Sequence, residues 1–63
     1  MMRFSLTQQL EEVLREISLR ERVYPRMVEN KQVKQDTADF HLARMRAVAD
    51  TLRILISQSW STP

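Results

Sequence analysis

The segment Arg20-Glu21-Arg22-Val23-Tyr24-Pro25-Arg26 holds the side chains best suited to chemistry in this 63-residue chain. Guanidinium forks match the oxygens of phosphate groups, and a tyrosine face can stack on a nucleobase. On a helix turning ~100° per residue, Arg15, Arg22 and Arg26 fall within about 40° of one another and form a positive ridge. Arg20 points elsewhere, onto the apolar stripe between Ile17 and Tyr24. A guanidinium there is costly unless it is paired or hydrogen-bonded. Glu16, one turn earlier, can pair with it, and so can an anionic ligand. In an antiparallel hairpin turning near Asn30, Tyr24 faces Ala38 to Leu42, and His41 comes close to both Tyr24 and Arg20. The candidate ligand site is therefore Arg20, Arg22, Tyr24, Arg26 and His41 around a phosphate-bearing molecule. The competing reading is structural. Arg20 is then bonded to Glu16 and to a carbonyl freed by Pro25, Tyr24 is core, Arg22 and Arg26 are solvated, and His41 is a partly exposed helix residue.

No other constellation suggests chemistry. Nucleophilic catalysis needs a nucleophile, a base and an orienting group within reach. His41 is the single histidine, and the serines lie at the chain ends and at Ser18. Glu12 with Glu16 reads as ordinary solvated helix surface. No catalytic site, cofactor or metal is expected: cysteine is absent, and one histidine cannot build a zinc site alone. Absence of glycine removes phosphate loops and dinucleotide turns. Ten basic and eight acidic residues are well mixed, for a net charge of +2, so the chain is no polybasic arm.

The elements that must position the segment are helices. Ser5-Leu6-Thr7-Gln8 is a capping box, with Ser5 as N-cap. Leu6, Leu10, Val13, Ile17, Tyr24 and Met27 follow at helical spacing, with Arg20 the one polar interruption. The pattern predicts a first helix over about 6–29, with Pro25 either kinking it or ending it near Tyr24. Residues 30–33 form the connection, with Asn30 suited to a left-handed cap. A second helix is predicted over about 34–58, leaving a frayed tail over 59–63 that includes Trp60. Its stripe is Ala38, Leu42, Met45, Ala49, Leu52 and Ile56, widened by Val48 and Leu55 and extended by Ile54. One partner helix cannot cover so broad a surface. A single core in so short a chain also rarely supplies more than ~3–5 kcal/mol. The fold class expected is all-α: a two-helix antiparallel hairpin, one domain over 1–63, assembling into a homo-oligomeric bundle of two or more copies. The predicted oligomer interface is Val48, Leu52, Leu55 and Ile56. No run reaches the ~20 apolar residues of a membrane span. Met1-Met2-Arg3-Phe4 also lacks the apolar core of a signal peptide, so a bacterial cytoplasmic location is expected.

From about Leu10 to Arg53 the chain resembles a family of very small phage and prophage proteins of proteobacteria. The resemblance rests on Arg20, Arg22-Val23-Tyr24-Pro25-Arg26 and Val28. A second block follows in Ala38-Asp39, Leu42-Ala43, Met45, Ala47-Val48 and Leu52-Arg53. In that family the first block commonly reads as an arginine pair or triplet followed by Val-Tyr-Pro-Arg. Its inter-helix turn usually carries glycine where this chain has Asn30-Lys31, and its second helix opens with Ser or Thr where this chain has Lys34. The resemblance implies phage or prophage origin. It also implies the mode of action common among small phage proteins that are neither enzymes nor virion parts, which is to bind and block a host component.

Three functions follow as expectations. The first is a non-catalytic, homo-oligomeric binding protein whose Arg20/Tyr24 pockets sequester a small phosphorylated, nucleotide-like ligand, such as a signal of host defence. The second is nucleic-acid binding by a four-helix dimer, with Arg15, Arg22 and Arg26 on phosphates. The third is a protein-protein inhibitor using the Val48–Ile56 face as a helix in a groove. A membrane-surface helix is disfavoured because Glu12, Glu16 and Glu21 interrupt the arginine ridge.

Overall fold

The computed structural model describes residues 3–60, as two helices packed on one another. The first, α1, spans Leu6–Glu29. At its start the Ser5 hydroxyl accepts from the Gln8 backbone N–H at 3.0 Å, and the Gln8 side chain accepts from the Ser5 N–H at 2.9 Å. This reciprocal pair satisfies two backbone donors that the first turn leaves without helical partners. The helix runs through Pro25 rather than ending at Tyr24. Pro25 supplies no N–H to the carbonyl of Glu21, one turn back.

The reversal is built by hydrogen bonds at the end of α1. Asn30 caps the helix and donates to the Arg26 carbonyl at 2.9 Å. The Lys31 N–H reaches the Val28 carbonyl at 3.0 Å, and the Gln32 N–H reaches the Met27 carbonyl at 2.8 Å. These are the paired bonds of a Schellman motif. The left-handed position is therefore Lys31, at φ 59°, and not Asn30, whose φ is −83°. Asn30 still closes the helical ladder, so the change of hand falls one residue later.

The second helix, α2, spans Gln35–Trp60, two residues beyond the expected end. Residues 61–63 of the expected tail lie outside the described residues. Lys34 stands at the N-cap position, where its carbonyl accepts from Ala38 at 3.0 Å. Its side chain has no acceptor for the free N–H groups of the first turn, and it places a cation at the positive end of the helix. Asp36 partly offsets this from within that turn.

The helices run antiparallel. Tyr24 and Pro25 share a groove with Ala38 and Leu42, while Leu14 and Ile17 share one with Ala49 and Arg53. Among the described residues, the buried apolar side chains are Ile17, Ala38, Ala49 and Leu52. The two alanines let the helix axes approach closely. Leu10, Val13, Tyr24, Met27, Leu42, Met45 and Ile56 are only half-buried around them. The result is a rod of 51 × 23 × 17 Å. No helix among the described residues is long and apolar enough to cross a membrane.

Candidate functional site

Arg20 projects from the apolar stripe of α1, yet it is not left without partners. Its guanidinium donates to the Glu16 carboxylate one turn earlier, within a part-buried pair. Tyr24 lies one turn later on the same face. Glu16 first and Tyr24 second raise the Arg20 pKa above the ordinary arginine value, against a smaller opposing effect of burial. The three residues form an i, i+4, i+8 ladder along one helix face. The i+4 geometry that places apolar residues against the core also stacks these polar groups. The Glu16 carboxylate thus holds the Arg20 guanidinium within its own helix.

The ridge divides on closer view. Arg15 donates to Glu12 at 2.9 Å and is committed to a surface ion pair. Arg22 and Arg26 are exposed, and no hydrogen bond or ion pair holds either among the described residues. They stand one turn apart on α1, on the side of the helix away from Glu16, Arg20 and Tyr24. Lys31 and Lys34 are also exposed and without an ion pair. All four cations lie at the hairpin's turning end.

Tyr24 faces α2 as its spacing predicts, in a groove lined with Glu21, Pro25, Ala38, Asp39, Leu42 and Arg46. His41 lies elsewhere. It is exposed, sits edge-on to Phe40 with ring centroids 6.3 Å apart, and lines a separate shallow depression with Arg44, Met45 and Val48. At ~100° per residue, His41 falls about 100° from Leu42 around α2, so the residue that meets the Tyr24 groove is Leu42. The structure thus brings Arg20 and Tyr24 onto one face of α1, leaves Arg22 and Arg26 on the far side of that helix, and places His41 in a different depression.

Two further interactions bear on the packing of α2. Arg46 donates to Glu21 at 3.1 Å across the helix interface. The Arg44 guanidinium lies over the Phe40 ring, 5.4 Å from its centre. The second was readable from the i, i+4 spacing of an arginine after an aromatic residue. The first depends on the register between the helices, which no local pattern fixes.

The four residues expected at an oligomer interface separate into two pairs. Leu52 is buried between the helices and Ile56 half-buried on the same stripe, so their apolar surface is largely covered within one chain. Val48 and Leu55 are exposed at 49% and 41%. Compared with protein-family models, curated proteins and solved structures, the chain matches none.

Proposed function

We propose that this chain is a non-catalytic, self-associating binding protein of phage or prophage type, which captures a small phosphorylated, nucleotide-like ligand on its Arg20–Arg26 segment. One observation carries the reading: Arg22 and Arg26 stand exposed and unpaired, one turn apart on one face of α1, with no protein acceptor on either guanidinium. Guanidinium groups without protein acceptors are available to phosphate oxygens, which they bind with two parallel hydrogen bonds. Capture of one ligand per site, without turnover, suits a host-defence signal that acts at low concentration. His41 is not part of this site.

A second reading draws on the same end of the rod. Arg22, Arg26, Lys31 and Lys34 form a cationic tip suited to the phosphates of a nucleic-acid backbone. The two readings separate in one experiment. Thermal stability is followed at physiological salt with mono-, di- and cyclic nucleotides, and with short RNA and DNA duplexes. A ligand at ~100 times its Kd adds about 2.7 kcal/mol to stability. A rise with one small nucleotide, lost in Arg22→Ala/Arg26→Ala, supports capture. A rise with duplexes alone supports the second reading, and no rise with any of them overturns both.

A further inference from the structure

Helix α2 carries a second apolar face, on the side away from α1. Phe40, Ala47, Thr51, Ile54 and Leu55 fall within roughly 100° of one another, centred about 150° from the stripe that packs on α1. Phe40 and Ile54 are 59% and 58% exposed, the largest values among the exposed large apolar side chains described. Arg44 lies within this face, with its guanidinium over the Phe40 ring as its partner. The hairpin exposes 5481 Å². A compact globule of 7.5 kDa exposes about 4,250 Å², so the excess is about 1,200 Å². That exceeds the ~800 Å² per partner buried in a standard interface.

The spacing on this face is self-complementary. Phe40 and Ile54 stand seven residues before and after Ala47, about two helical turns each way. The small Ala47 side chain lies at the midpoint, where two helices can approach most closely. We propose that two copies pair antiparallel through α2, crossing at Ala47, so that Phe40 of each chain packs on Ile54 and Leu55 of the other. The proposal rests on the self-association in the reading above and names its surface and register. The other open face, bearing Leu19 and Val23 on α1, is less suited. The Glu16–Arg20 pair crosses it and would lose water on burial. The α2 pairing sends the two hairpin tips to opposite ends of the assembly. Each Arg22/Arg26 site then stays open, with one ligand bound per chain.

The test uses the full chain, which contains no cysteine. Ala47→Cys lies on the twofold axis and should link two chains rapidly under mild oxidation, because a disulfide needs Cβ atoms ~3.5–4.5 Å apart. Ser18→Cys and Val23→Cys, on α1, should not. Light scattering of the native chain should give twice 7.5 kDa. Phe40→Glu and Ile54→Glu should each halve that mass or unfold the chain. A native chain that is monomeric at all concentrations overturns the proposal. So does an oligomer that links through Val23→Cys and not through Ala47→Cys. Neither readout involves a ligand or the arginines, so failure of the pairing is distinct from failure of anion capture.

Discussion

The Arg46 guanidinium meets the Glu21 carboxylate at 3.1 Å and is the one ion pair among the described residues that joins α2 to α1. It borders the groove in which Tyr24 and Pro25 face Ala38 and Leu42. The pair therefore sits where the register of the hairpin determines what surrounds Tyr24. Both side chains are about half exposed, at 54% and 49%, so water screens the attraction and its worth is at most ~1 kcal/mol. Glu21→Arg should lower stability by about 0.5–1 kcal/mol. Adding Arg46→Glu, which restores opposite charges, should recover most of the loss. A double-mutant cycle of thermal melts at fixed protein concentration measures the coupling. If the double variant is no more stable than Glu21→Arg alone, the pair does not couple the helices.

Lys31 holds the left-handed position of the Schellman turn, at φ 59°. A side chain with a Cβ pays ~1–2 kcal/mol there, and glycine does not. Glycine also gains freedom in the unfolded chain, which cancels part of the benefit. Lys31→Gly should therefore stabilise by about 0.5–1 kcal/mol, seen as a rise of several degrees in Tm for a chain of this size. Asn30→Gly should not stabilise, since Asn30 has negative φ. A larger gain at Asn30 than at Lys31 would overturn this description of the turn.

Lys34 opens α2 with a cation and no capping acceptor. Lys34→Ser or Lys34→Asp should supply an oxygen to the free N–H groups of the first turn, and aspartate also complements the helix dipole. Each should add about 1 kcal/mol in chemical denaturation, with an unchanged m-value. The gain should add to that of Lys31→Gly, since the two residues share no partner. An unchanged midpoint in both variants would show that the first turn of α2 contributes little to stability.

Both helices, their antiparallel packing, the capping box and the direction of Tyr24 were legible in the sequence, because each follows from local pattern. Apolar periodicity sets the faces, and the Ser5–Gln8 spacing sets the start of α1. The site was legible only in part. The Glu16–Arg20 pair follows from i, i+4 spacing and is read directly from the sequence. The distance from His41 to Tyr24 depends on rotation of α2 about its own axis, and one residue of rotation moved Leu42 into that place. Residue type alone favours Asn30 for the left-handed position. The hydrogen-bond ladder instead closes through Asn30 and moves the reversal to Lys31. The breadth of the α2 apolar surface was visible as composition, but its division into an α1-facing stripe and an outer face required the register.

Arg20 is held by Glu16 on the side of α1 away from Arg22 and Arg26, and substitution tests its part in the proposed site. Glu16 and Tyr24 hold its pKa above the ordinary arginine value. A raised pKa means that its contribution is complete below the unfolded-state value and is lost only as pH rises through the higher folded one. Arg20 is therefore cationic at every pH in ordinary use, and its own titration should add no slope to stability between pH 5 and 9. Arg20→Lys keeps the charge but cannot present a planar fork to Glu16 and a ligand together. It should retain helicity and lose nucleotide affinity at least tenfold, as measured by calorimetric titration. Unchanged affinity in Arg20→Lys would remove Arg20 from the site and leave it a structural residue.

Arg22 and Arg26 decide between capture of a small nucleotide and contact with a nucleic-acid backbone. If they bind duplex phosphates, affinity falls with salt along a log–log slope of about −0.9 per contact. Arg22→Ala/Arg26→Ala should then make the slope shallower by ~1.8, and Lys31→Ala/Lys34→Ala should do the same if the whole hairpin tip is engaged. If the partner is a small nucleotide held by these forks, the arginine variant should abolish binding. The lysine variant should change affinity less than threefold, because the lysines lie in the connection and not on the Arg22–Arg26 turn. Fluorescence anisotropy across a salt series, with a labelled cyclic dinucleotide and a labelled duplex in parallel, measures both quantities. A slope unmoved by loss of both arginines would exclude them from any phosphate contact and leave the outer face of α2 as the chain's remaining candidate for recognition.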